Sequence, residues 1–101
     1  MATLLTDAAA LLSTSTAWCV GANARNASGI WVAIDNPTAV AWDIFGALKK
    51  AQAQGSYTVS DFETSLAHCR AKIPSTFHHD NQDIEFYNDS LSFGQVAAIF
   101  S

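Results

Sequence analysis

The sequence predicts a mainly α domain of about four helices, with a small β-hairpin inserted after the first. Three observations carry that expectation. Apolar residues recur at helical spacing in four segments, helix-start chemistry stands before several of them, and one β-branched and aromatic run follows a turn signal. The chain has 101 residues, half of them apolar and only 14% charged. That length suits one domain, and no repeat, low-complexity tract or linker divides residues 1–101.

Leu4, Ala8, Leu11, Leu12 and Trp18 place a first helix over about residues 4–18, with Thr6 or Asp7 as caps. The hydroxyl run Ser13 to Thr16 weakens its second half, because these side chains compete for backbone hydrogen bonds. Asn26-Ala-Ser-Gly29 is turn chemistry, and Ile30-Trp31-Val32-Ala33-Ile34 suits a strand, so a hairpin is expected to pair about residues 22–25 with 30–34. Asp35-Asn36-Pro37 reads as a helix start, followed by the stripe Val40, Ala41, Ile44, Phe45, Leu48 and Ala51. Lys49 and Lys50 are assigned to its last turn, and Gly55 closes it. Ser60-Asp-Phe-Glu63 is read as a capping box behind Val59, opening a helix through Phe62, Leu66, Cys69 and Ile73 that Pro74 ends. Ser75 to Asp83 reads as a polar loop. Ser92-Phe-Gly-Gln95 repeats the box, with Leu91 and Val96 as a hydrophobic staple, and starts a last helix over about 92–100. The expected core is Leu11, Leu12, Trp18, Trp31, Val40, Ile44, Phe45, Leu48, Phe62, Leu66, Ile73, Val96 and Phe100.

Composition narrows the function classes. Five Lys and Arg against nine Asp and Glu give a net charge of −4, which argues against a nucleic-acid binder and is too mild for a DNA mimic. No apolar run approaches the ~20 residues of a membrane span, and the N-terminus lacks the charged start and clean apolar core of a signal peptide. Two cysteines, Cys19 and Cys69, are fewer than a small secreted domain usually carries. A cytoplasmic, reducing location is the resulting expectation.

With the elements placed, Trp18-Cys19-x-Gly21-Ala22-x-Ala24-Arg25, Ala41-Trp42-x-x-x-Gly46-Ala47-Leu48 and Tyr87-Asn88-Asp89 form a recognisable order. The chain resembles a family of small bacterial and phage-borne domains of unknown function, many from actinobacteria. That family carries a Trp-Cys-x-Gly-Ala motif, a Gly-Ala-Leu helix and a Trp-Asn-Asp motif before a closing helix. Tyr87 stands where the family usually has Trp, Asp43 where Cys is common, and the Arg-Thr that tends to follow Asn-Asp is absent. The resemblance implies a fold and no activity.

Each chemically suggestive group has a bland reading beside it. Cys19 follows the first helix, whose C-terminal dipole disfavours a thiolate, and reads as a small buried hydrophobe. Cys69 lies on the apolar face of its helix, and the neighbouring His68 points away from it. His78-His79-Asp80 is the only local cluster of ligand types and lacks the spaced pairs of a zinc site, so no metal and no cofactor are expected. Asp80, Asp83, Glu85 and Asp89 read as an acidic loop without the calcium-loop spacing. Asn88-Asp89 reads as a brace for the last helix, with Arg25 as a partner for Asp89 or Asp35.

Two function classes follow. The first is a non-enzymatic binding protein, an adaptor or inhibitor that occupies the surface of another protein or of a second copy of itself. A phage-borne origin and a host defence complex as target would suit its size and the family's habitat. Trp31, Trp42, Phe77, Phe86 and Tyr87 fit the helical stripes least well, so the contact surface is expected to use some of these rings, rimmed by Asp83, Glu85 and Asp89. Trp31 thus stands both in the core list and among these rings. The second class is a small enzyme or ligand-binding domain with a pocket around Cys19, Arg25, Asn88 and Asp89.

Overall fold

A computed structural model describes residues 3–74 and 83–101, with Phe86 described by its backbone only. Of the loop expected over 75–83, residues 75–82, with Phe77 and the His78-His79-Asp80 cluster, lie outside the described residues, as does the side chain of Phe86. Among the described residues the elements run α1 (Leu4–Leu11), a short 3-10 turn (Ser15–Ala17), β1 (Ala24–Asn26), β2 (Ala39–Trp42), α2 (Ile44–Gly55), α3 (Val59–Arg70), α4 (Asp83–Ser90) and α5 (Phe93–Phe100). The fold is mainly α with one small antiparallel β-hairpin, as the apolar periodicity predicts.

Helix α1 is capped by Thr3, three residues before the nearer of the expected caps. Thr3 and Thr6 cap each other reciprocally: Thr3 Oγ1 accepts the Thr6 N–H at 3.2 Å, and Thr6 Oγ1 accepts the Thr3 N–H at 2.8 Å. The helix ends at Leu11 instead of running to residue 18, and the hydroxyl-rich stretch after it forms the 3-10 turn. Leu4, Ala8 and Leu12 bury the inner face.

The hairpin differs from expectation in its partner. β1 pairs with β2, in the register Ala24↔Trp42, Arg25↔Ala41 and Asn26↔Ala39. The predicted partner 30–34 follows the other edge of β1 only briefly, through the Asn26 N–H to Ile30 O (3.0 Å) and the Val32 N–H to Ala24 O (3.1 Å). The turn itself is as read: Asn26 Oδ1 accepts the N–H groups of Ser28 and Ile30, and Gly29 takes φ +79°. Asp35-Asn36-Pro37 is a turn and not a helix start. Asn36 Oδ1 accepts both the N–H and the hydroxyl of Thr38, at 2.8 and 2.7 Å. Asn and Pro serve turns and helix starts with the same chemistry, and strand pairing decides which is formed. Residues 39–42, expected in the helix, are therefore β2. Val40 and Trp31, expected in the core, are exposed.

Asp43 caps α2, its Oδ1 accepting the Gly46 N–H at 2.6 Å. Ile44, Ala47, Leu48 and Ala51 then face inward, and burying a Leu or Ile side chain contributes about 2 kcal/mol each. Helix α2 runs to Gly55, so Lys49 and Lys50 lie in its middle, and Ser56 takes the left-handed capping position at φ +55°. The box that opens α3 is Thr58 with Asp61, two residues before the expected Ser60–Glu63 pair. Helix α4 replaces the C-terminal end of the expected loop. In α5, Gln95 Oε1 accepts the Ser92 N–H at 2.9 Å, and Val96, Ile99 and Phe100 are buried as expected. One continuous core draws on all five helices and both strands.

Candidate functional site

Helix α4 brings the Asn-Asp motif against the Trp-Cys-x-Gly motif and the start of α2. Glu85, Asn88 and Asp89 stand three and four residues apart, so they share one face of the helix. Asn88 is 0% exposed, and all its hydrogen-bonding capacity is used. Its Oδ1 accepts Trp18 Nε1–H at 2.7 Å and the Ile44 N–H at 3.1 Å, and its Nδ2 donates to Cys19 O at 3.0 Å and Asp89 Oδ1 at 3.3 Å. One side chain thus ties α4 to the segment before β1 and to the first turn of α2.

Beside this brace lies an acidic cleft of about 260 Å³, lined by Gly21, Ala22, Asn23, Trp31, Asp43, Glu85 and Asp89. Asp89 Oδ1 accepts the Gly21 N–H at 2.9 Å, where Gly21 takes φ +75°. The Asn23 amide bridges two carboxylates, donating to Asp43 Oδ2 at 3.0 Å and to Glu85 Oε2 at 2.9 Å. Trp31 stands at the mouth with 66% of its surface exposed. Asp43 is 2% exposed. Burial pushes its carboxyl up to about 7, and Glu85 and Asp89 add to the shift against the opposing Gly46 N–H and Asn23 amide. Burial also raises the Cys19 thiol to about 11, with Asp43 and Asp89 adding and Arg25 opposing. Cys19 Sγ donates to Ala22 O at 3.4 Å. A thiol held protonated this way is a packing group.

The other site expectations fall out as follows. Arg25 does not pair with Asp89 or Asp35; its guanidinium donates to Gly29 O at 2.8 Å and Val20 O at 3.0 Å, so it holds the turn. Cys19, Arg25, Asn88 and Asp89 are neighbours, joined through backbone groups. Asp83, expected on a rim, is 1% exposed and paired with Arg70 Nη2 at 2.8 Å. It belongs to the α3–α4 contact because an otherwise bare buried carboxylate would be costly. Trp42 is buried, and its Nε1 donates to Ile34 O at 3.3 Å. Tyr87 is half-buried against the core. Trp31, Glu85 and Asp89 are the expected contact residues that the fold gathers at one opening.

Asn23 and Asp43 were missed. The available signal was Asp43 three residues before Gly46, a helix N-cap pattern that places its carboxylate at the start of α2. A larger open groove of about 520 Å³ beside α2, lined among others by Ile34, Lys49, Gln52 and Tyr57, gathers no comparable set of converging groups. Among the described residues, no three His, Cys, Asp or Glu side chains are arranged to hold a metal ion, and no helix is long and apolar enough to cross a membrane.

No curated protein and no solved structure matches the chain. A family model does match, over residues 1–101 and so over every motif that builds the cleft: the chain belongs to a family of unknown function, DUF6197.

Proposed function

We propose that this chain is a non-enzymatic binding protein, an adaptor or inhibitor, that engages another protein through the exposed face of its hairpin. The observation that carries this reading is Trp31, a large aromatic ring left 66% exposed beside exposed Ile30. Val20, before β1, and Val40, within β2, are exposed as well. Solvent-facing aromatic and aliphatic groups are the usual anchors of protein contacts, and acidic neighbours such as Glu85 and Asp89 set approach and register. A reducing cytoplasm suits the two buried free thiols. The protonated Cys19 and the fully engaged Asn88 favour binding over catalysis at this place.

The reading is tested by placing a photo-crosslinking amino acid at position 31 in cells of the native host, with position 59 as control. Val59 is equally exposed at the start of α3, away from the hairpin, at 65%. Discrete adducts from position 31 that position 59 does not give support the reading. An adduct of twice the chain mass identifies the partner as a second copy. Identical patterns from both positions, or none from either, overturn it.

A further inference from the structure

The hairpin face and the acidic cleft meet at Trp31, and their chemistries together describe one occupant. Asp43, Glu85 and Asp89 line the cleft, and only neutral groups satisfy them: the N–H groups of Gly46 and Gly21 and the amides of Asn23 and Asn88. Arg25, whose guanidinium lies close to Gly21 at the cleft edge, is held by the carbonyls of Val20 and Gly29. Among the described residues the cleft therefore holds acidic groups with no cation paired to them, under an exposed indole. The three carboxyl groups are not arranged for a metal ion, yet they face a space of about 260 Å³.

We infer that this surface receives an arginine side chain from a different protein, its guanidinium directed at Glu85 and Asp89 and its flat face laid on Trp31. The inference rests on the proposed binding function and names the partner's chemistry. Guanidinium suits the place better than ammonium because it is planar, presents several donors to separate carboxylates and stacks on an aromatic ring. Apolar residues beside the arginine would cover Ile30 and Val40. A second copy of the chain is a poor donor. Its only arginines are Arg25 and Arg70. Arg25 is held by carbonyls and Arg70 by Asp83. Two of its three lysines are engaged too, Lys49 over the Phe62 ring and Lys72 on the Ala98 and Ser101 carbonyls.

The test is selection of a phage-displayed random dodecapeptide library on the immobilised protein, followed by calorimetry with the enriched peptides. Enriched peptides should share an arginine. Replacing it by norleucine, or using Glu85→Gln with Asp89→Asn, should each weaken binding about tenfold or more, and the variant should also flatten the salt dependence. Glu85→Gln alone is the second variant, since among the described residues Glu85 bonds the Asn23 amide and its loss leaves the Asp89–Gly21 contact intact. Peptides that lose affinity on Trp31→Ala but carry no common arginine overturn this inference and leave the binding surface standing. Peptides that bind Trp31→Ala at full strength overturn the surface itself, and a library that yields no binder overturns both.

Discussion

Asn88 shows how much one side chain can hold. Its truncation to Ala would leave Trp18 Nε1–H, the Ile44 N–H and Cys19 O without their partner, all near the centre of the molecule. An unsatisfied buried group costs about 1–3 kcal/mol, so Asn88→Ala is expected to lose about 3 kcal/mol or more, read as a lowered urea midpoint. Asp43 makes a different statement. Its folded carboxyl is raised from 3.8 to about 7, so the folded state holds this proton more tightly than the unfolded chain does. The stability that follows is complete below about pH 4, falls as the unfolded state ionises first, and is gone above about pH 7. The difference in unfolding free energy between wild type and Asp43→Asn should therefore change steadily across that window and level off outside it. A parallel pair of curves would show that Asp43 titrates normally. Cys19 is expected to react with iodoacetamide far more slowly in native than in unfolded protein, since its thiol is buried and raised to about 11.

Among the elements, α2 packs closely on the segment before β1. A Cβ added at Gly46 would lie 2.1 Å from the Asn23 carbonyl oxygen, a clash with backbone that cannot rotate away. Gly94 in α5 has no atom within 4 Å of the same addition. Helix propensity favours Ala over Gly at both places by up to about 1 kcal/mol. Gly94→Ala should thus add about 0.5 kcal/mol of stability near the helix start, read as a slightly raised melting temperature. Gly46→Ala should instead destabilise by about 2 kcal/mol or more, because overpacking outweighs propensity. Equal effects at the two positions would mean that α2 does not pack on Asn23 as described. The same contact explains why the Gly-Ala-Leu stretch begins with a glycine.

At the scale of the whole molecule, acidic groups and an exposed ring are brought together at one opening. Net charge is −4. The described Asp83–Arg70 pair holds two elements together, whereas Asp43, Glu85 and Asp89 collect at one opening beside Trp31. Trp31→Ala removes a ring that contributes little to the core, so its melting temperature should stay within a few degrees of wild type, while peptide or partner binding falls. A Trp31→Ala protein that unfolds would show the ring to be structural. Tyr87→Ala would be a poorer probe, because Tyr87 packs against the core and its loss mixes folding with binding.

The sequence by itself determined the helical class, the Asn26–Gly29 turn, the last helix with its Ser92–Gln95 box, and the inward faces carrying Ile44, Leu48, Phe62, Cys69 and Val96. These are local matters of periodicity, capping and turn chemistry, decided within a few residues. It also marked Glu85 and Asp89 as rim candidates, and left Trp31 between core and surface. Tertiary structure decided the rest. Whether residues 39–42 continue a helix or pair with β1 depends on a strand that lies thirteen or more residues earlier in the chain, and either choice satisfies local propensity. Helix α4 has weak amphipathic character and many polar residues, and what makes it a helix in place is Asn88 meeting Trp18 and Ile44, with Asp83 meeting Arg70. The acidic cleft exists only because Asn23, Asp43 and Glu85, up to 62 positions apart, close on one amide. Short motifs can mark such residues, but their pairing over that range is not written in any local period, since each neighbour is supplied only by folding.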